Sequence, residues 1–214
     1  MKSVLTSIKR RVLSFSSEGY WSERYQSGRN SGPGSYGNLA RFKADVLNDL
    51  VKERDVQSVI EFGCGDGNQL ALAQYPKYVG YDVSPIAVDM CRAMFAGDTS
   101  KEFHLVGEYD GREADLSMSL DVIYHLTEDR VFDAYMRRLF GAALRYVVVY
   151  SSNQEQPIEP VSIHVRHREF SKWVAREAGD EWRLAEKIPN AFPYNGDNAA
   201  TSFADFYVYE RVTG

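Results

Sequence analysis

The chain has 214 residues, 44% of them hydrophobic, which suffices for one α/β core and is short for two. A formal net charge of -5 argues against a surface that tracks phosphates, so no bulk nucleic-acid partner is expected. Two cysteines without metal-ligand spacing, Cys64 and Cys91, point to a reduced, cytoplasmic setting, and no apolar stretch approaches membrane-spanning length.

Near the N-terminus, Val4, Ile8, Val12 and Phe15 recur at helical spacing opposite Lys9, Arg10 and Arg11, which predicts an amphipathic first helix. The stretch lacks the continuous apolar core of a signal peptide; a membrane-surface anchor is the alternative reading. Residues 26–37, QSGRNSGPGSYG, hold four glycines, three serines and a proline, and read as a loop with Tyr25 and Tyr36 beside it. Such a segment is a candidate lid, so residues 1–37 are taken as helix plus cover. Leu39, Phe42, Val46, Leu47, Leu50 and Val51 then mark a helix whose intervening residues, Arg41, Lys43, Asp45 and Asn48, are polar.

An apolar run at residues 56–62 predicts the first strand, which breaks into Gly63, Gly65 and Gly67. A helix-like segment follows, then a second strand at residues 78–81 closed by Asp82. Glycines at the carboxyl end of a strand let the backbone pass close to a ligand. An acid ending the next strand can accept bonds from both ribose hydroxyls, each about 1.5–3 kcal/mol. The dinucleotide fingerprint is GxGxxG, whereas the spacing here is GxGxG with acids at Glu61 and Asp66. Carboxylates there repel a pyrophosphate and suit a ligand that carries an ammonium and a sulfonium.

Ser84 and Pro85 read as N-cap and first residue of a helix with Ile86, Met90, Met94 and Phe95 as its buried stripe. Residues 103–106 predict a third strand and residues 116–123 a fourth, ending near Asp121. Thr127 is expected to cap a helix carrying Val131, Phe132, Tyr135, Leu139 and Phe140. The run YVVVY at residues 146–150 reads as a fifth strand buried on both faces. Phe170, Trp173, Val174 and Ala178 mark a helix stopped by Gly179. Residues 182–188 and 203–212 predict two late strands, an antiparallel pair at the sheet edge.

EFGCGDG and GYDVS, in this order and at this separation, resemble the first two motifs of the class I S-adenosylmethionine-dependent methyltransferases. The resemblance covers the chain from about residue 36 onward. It implies an α/β fold: a Rossmann-like three-layer sandwich around a mostly parallel seven-stranded sheet. An antiparallel C-terminal strand is inserted between the fifth and sixth, and one domain is expected across residues 1–214. It also implies S-adenosyl-L-methionine as cofactor and S-adenosyl-L-homocysteine as product. Glu61, Gly63, Cys64, Gly65 and Gly67 are then expected at the amino-acid end of the cofactor, Asp82 at the ribose and Val83 at the adenine. Leu120, Tyr25 and Tyr36 complete that set. GEYDG after the third strand departs from the family pattern and leaves Glu108 and Tyr109 open.

Displacement of a methyl group from a sulfonium asks the protein mainly for alignment, with a base only when the acceptor must lose a proton. His104 falls within a strand and reads as structural. His125 and His167 lie beyond strand ends on the crevice side and are the candidate bases, with Asp121 to orient a neighbour or meet the methionine ammonium. His164, Arg166 and Arg168 in IHVRHREF, and Tyr194 in the amide-rich residues 189–203, are candidate acceptor contacts. A small-molecule or glycan-like acceptor methylated at oxygen is expected, with no metal. The alternatives are an NAD(P)-dependent oxidoreductase on a similar sheet, and a cofactor-binding subunit without catalysis. Oligomeric state stays open.

Overall fold

The structure is a computed structural model that describes residues 15–155 and 162–212. The helix expected around Val4, Ile8 and Val12 lies outside the described residues. Seven strands form one sheet: β1 Val59–Phe62, β2 Tyr78–Asp82, β3 Lys101–Leu105, β4 Ala114–Leu120, β5 Ala143–Ser151, β6 Trp182–Ile188 and β7 Asp205–Arg211. Their order is β3-β2-β1-β4-β5-β7-β6. β1 to β5 run parallel, and β7 is antiparallel to both β5 and β6. This is the expected mostly parallel sheet with its antiparallel ending.

Alternation along the strands divides the core into two layers. Ile60, Phe62, Val147 and Val149 face α4 (Asp129–Gly141) and α5 (Phe170–Glu177), where Phe132, Leu139, Phe170 and Trp173 pack. Val59, Leu116, Met118 and Val148 face α2 (Gly37–Glu53) and α3 (Pro85–Met94), meeting Leu47, Leu50, Val88 and Cys91. Each fully buried aliphatic side chain contributes roughly 1.5–3 kcal/mol. α1 (Ser17–Gln26) precedes this sandwich; its Ser16 cap accepts from the Gly19 N–H.

The structure corrects three expectations. No α-helix joins β1 to β2, only a 3-10 turn at Leu70–Leu72. The side chains before it bind elsewhere, Asn68 to the Ser35 carbonyl at 2.5 Å and Gln69 to the Ala40 carbonyl at 3.0 Å. On α3, Ile86, Met90 and Met94 face outward, Met94 at 51% exposure, while Ala87, Val88 and Cys91 are buried. The glycine turn presses on this helix: a Cβ at Gly67 would lie 3.1 Å from the Cys91 sulfur and from Phe95 Cε2, which leaves little space for any side chain but glycine's at that position. Finally, the N-cap of α4 is Glu128, not Thr127. Its carboxylate accepts from the Ser17 N–H at 2.9 Å and from the Ser17 hydroxyl, which docks the start of α1 on the start of α4.

Candidate active site

A cavity of about 450 Å³ opens at the carboxyl ends of β1, β2 and β4. β1 ends in a turn whose glycines take positive φ, 93° at Gly63 and 60° at Gly65. There is no room for side chains: a Cβ would lie 2.4 Å from Val122 Cγ2 at Gly63 and 2.4 Å from Ser31 Oγ at Gly65. The Gly63 and Cys64 N–H groups both donate to the Tyr81 carbonyl, which fixes the turn to the end of β2. Asp82, buried there, accepts from the Gly65 N–H at 3.0 Å and the Ser84 N–H at 2.9 Å. Burial pushes its carboxyl up against the opposing pull of these amides.

Glu61 is buried one turn of the chain away and accepts from the Tyr78 hydroxyl at 2.6 Å. Burial raises its carboxyl to about 7, opposed by the Tyr78 bond and the Lys43 charge. A hydrogen bond with Cys91 and burial push the Cys64 thiol well up, so it is held as an unreactive thiol. Both cysteines are free and buried.

Residues 27–36 lie over this turn and are pinned to it by Asp66, itself 2% exposed. One Asp66 oxygen accepts from the Ser31 N–H at 2.9 Å and the Tyr36 hydroxyl at 2.8 Å. The Asp66 N–H donates back to Ser31 Oγ at 2.9 Å, and Tyr25 shares a hydrogen bond with that hydroxyl at 2.8 Å. Burial and the Asp66 bond raise the Tyr36 phenol to about 12, so it stays a donor.

Asp121 follows β4 directly and takes a φ of 60°, costly for a residue with a side chain. Its N–H donates to the Tyr150 carbonyl at 2.9 Å, and its carboxylate accepts from Lys43 at 2.6 Å and from the Tyr124 hydroxyl at 2.8 Å. Lys43 is 1% exposed, and its ammonium lies 5.2 Å from the Tyr150 ring centroid.

His125 sits on the cavity wall, edge-on to Trp21 at 4.9 Å and stacked with His164 at 5.4 Å. Its Nδ1–H donates to the His164 carbonyl at 2.9 Å, which leaves Nε2 with its lone pair. Burial lowers its pKa to about 4, so the ring is neutral.

Of the residues singled out in the sequence, Tyr25, Glu61, Gly63, Cys64, Gly65, Asp82, Val83, Leu120, Asp121 and His125 reach the cavity wall. Tyr36 and Gly67 support the turn from outside it. His164 stacks on Tyr20 at 4.3 Å behind His125. His167 bonds Ser152 at 2.7 Å and packs edge-on to Phe203 at 4.7 Å, away from the wall; Tyr194 neighbours the same phenylalanine. Arg166 and Arg168 lie off this wall: both pair with Asp129, at 2.9 and 2.6 Å, and both reach the Thr127 carbonyl. They serve the start of α4.

Sequence reasoning missed Lys43, Trp21, Ser31 and Gln69, all on the wall. Lys43 carried a signal, because it stands four residues after Leu39 and four before Leu47, within the apolar stripe of α2. Among the described residues no group of His, Cys, Asp and Glu is arranged to hold a metal ion, and no helix is long and apolar enough to cross a membrane.

Solved structures of similar shape are methyltransferases. The methyltransferase domain of a bacterial Hen1 protein aligns with a TM-score of 0.64 at 18% identity, over 81% of this chain and 98% of that one. The magnesium protoporphyrin IX methyltransferase of Synechocystis, crystallised with bound S-adenosylmethionine, aligns at 0.63 and 16% identity, over 93% of this chain and 99% of that one. Mitomycin 7-O-methyltransferase aligns at 0.61 and 15% identity, over 82% of this chain and 55% of that one. The fold is that of the class I methyltransferases. No protein-family model matches the chain, and no curated protein matches it in sequence. Within the methyltransferase fold, the cavity occupies the crevice beyond the strand ends where open parallel sheets take their ligands.

Proposed function

We propose that the protein is an S-adenosylmethionine-dependent methyltransferase acting at an oxygen of a small-molecule or glycan-like acceptor. The observation that carries this reading is the acid set around the glycine turn: Glu61 and Asp82, both buried and both on the wall of one cavity. Buried carboxylates beside a backbone cradle too tight for side chains fit an adenosyl ligand that bears positive charge. A pyrophosphate would meet like charge there. Asp82 would hold the ribose hydroxyls, Val83 and Leu120 would pack on flat apolar parts, and the Gly63–Gly65 backbone would pass beneath the amino-acid end.

When bound, S-adenosylmethionine supplies a methyl group already activated on a sulfonium. The protein's part is then to align an acceptor hydroxyl, exclude water and take up one proton. His125 is the proposed base: it lines the cavity, it is neutral, and its Nδ1–H is engaged by the His164 carbonyl, which leaves Nε2 as the nitrogen with a lone pair to accept a proton. With the cofactor bound, Nε2 would take the proton of the acceptor hydroxyl while the methyl leaves the sulfonium, whose sulfur would keep the bonding pair as a thioether. His167, bonded to Ser152 outside the wall, is the weaker candidate. The covering residues 27–36 and Trp21 would exclude water. The net charge of -5 supports a small acceptor over a nucleic acid, and two buried free thiols suit a reduced, cytoplasmic setting.

Calorimetric titration with S-adenosylmethionine, S-adenosylhomocysteine and NAD(H) tests the reading. Micromolar binding of the two sulfur ligands and none of NAD(H) is expected, with Asp82→Ala weakening it at least tenfold. NAD(H) binding alone would make the protein an oxidoreductase instead. Once an acceptor is in hand, His125→Ala should keep cofactor affinity and lose turnover. Cofactor binding without turnover on any acceptor would leave a binding subunit.

A further inference from the structure

Several arginines of this acidic chain stand against carboxylates: Arg54 against Glu210, Arg112 against Asp110, Arg137 against Asp133 and Arg168 against Asp129. Two others do not. Among the described residues no carboxylate pairs with Arg24 or Arg29, and Glu18 and Glu23, the acids of α1, are no exception. Arg24 closes α1, where its Nε–H donates to the Asn30 carbonyl at 2.6 Å and Nη1 reaches the Tyr20 hydroxyl at 3.5 Å. Arg29, in the cover, donates from Nε to the Ser27 hydroxyl at 3.0 Å. Both charges bear on one ring: burial first, then Arg24 and Arg29, hold His164 below the usual histidine range. Two guanidiniums that act on the same imidazole also repel each other, and no described acid offsets them.

This uncompensated pair borders the candidate base. The Arg24 guanidinium lies 5.5 Å from the centroid of the Trp21 ring, and the same ring meets His125 edge-on at 4.9 Å. Trp21 and His125 line the cavity, while Tyr20, stacked on His164 at 4.3 Å, backs them. The buried acids Glu61 and Asp82 stand instead at the glycine turn, so the charge of the site is divided: acidic toward the turn, cationic beside His125. The Nε bond orients the Arg24 guanidinium, and its Nη2 makes no hydrogen bond among the described residues. An oriented guanidinium with an open edge matches the paired oxygens of a carboxylate or phosphate. We propose that the acceptor is an anionic hydroxy compound whose carboxylate or phosphate is held by Arg24 with Arg29, while its hydroxyl reaches His125 past the face of Trp21. Arg24 is then the residue that selects charged acceptors over neutral ones. This rests on the methyltransferase reading above.

The test titrates the full chain, loaded with S-adenosylhomocysteine, with glucose, glucuronate and glucose 6-phosphate, and follows the arginine Nε–H and tryptophan Nε1–H signals by NMR. At least one of the two charged sugars should bind tenfold or more tightly than glucose and shift the signals of Arg24 and Trp21; the tighter of the two names the anionic group. Arg24→Gln should remove that advantage and leave S-adenosylhomocysteine affinity within about twofold. Should that variant fail to fold, Arg29→Gln is read by the same criterion, with a loss of threefold or more expected. Equal response to all three sugars, absence of response included, overturns the assignment, as does an advantage that survives both substitutions. Failure of the unaltered protein to bind S-adenosylhomocysteine would instead overturn the cofactor reading beneath it.

Discussion

Two ionisable side chains on the cavity wall are displaced in opposite directions. Glu61 titrates at about 7 in the fold against 4.5 as a free group, held there by burial. Between these values the folded chain binds more protons than the unfolded one, so this group's contribution to stability falls as pH rises through the window. His125 titrates at about 4 against 6.5, again through burial, so in its window the unfolded chain binds more protons and stability falls as pH drops. From pH 4.5 to 6.5 the two slopes oppose each other. Glu61→Gln should therefore expose the histidine slope, with a melting temperature that declines more steeply on acidification than in the unaltered protein. Cofactor binding should show the other side of the linkage. A cation near Glu61 favours its ionised form, so S-adenosylmethionine affinity should rise from pH 6 to 8 with release of a proton. Calorimetry in buffers of different ionisation enthalpy reads that release, and Glu61→Gln should abolish it.

At the scale of elements, the cover and the floor of the cavity share one carboxylate. Asp66 holds residues 27–36 through Ser31 and Tyr36, and bonds to a carboxylate contribute about 1.5–3 kcal/mol each. Asp66→Ala should speed hydrogen exchange at Ser31 and shorten cofactor residence in stopped-flow by tenfold or more, with a smaller change in melting temperature. What the sequence revealed of these elements, and what it hid, has a physical pattern. The strands and the glycine turn were legible because a buried strand is an apolar run and a crowded turn admits only glycine. The inner face of α3 was less legible, because the helix packs through Ala87, Val88 and Cys91 while Ile86, Met90 and Met94 stay exposed. Met90→Lys should accordingly change the unfolding free energy read from urea titration by less than about 0.5 kcal/mol, whereas Val88→Ala should cost about 2 kcal/mol. Of the site, the residues carried by motifs were legible, namely the turn, Asp82 and Glu61. Lys43 was not, since a charged residue in an apolar stripe is read as its outer edge unless a buried partner is known. The ion pairs of Arg166 and Arg168 were not legible either, because sequence alone does not show that the first turn of α4 presents Asp129 to both.

For the whole molecule, the alternation of strand and helix and the late pair of strands disclosed a mostly parallel sheet with a reversed ending. The layers were less legible, because no α-helix joins β1 to β2 and it is α2 that packs against β1 on that face. Placement of β7 between β5 and β6 also governs when this chain can become a protein at all. The Val147–Val149 stretch of β5 gains its neighbour, Tyr207 to Tyr209, only from the last strand described. A ribosome delivers that strand after the other six. Until residue 211 has cleared the exit tunnel, β5 stands as a bare edge of valines and tyrosines, the kind of template that recruits other nascent chains. The cavity is outlined by residues made early, yet the sheet that supports it is completed only when β7 pairs with β5, so the six-stranded intermediate is the species most exposed to aggregation.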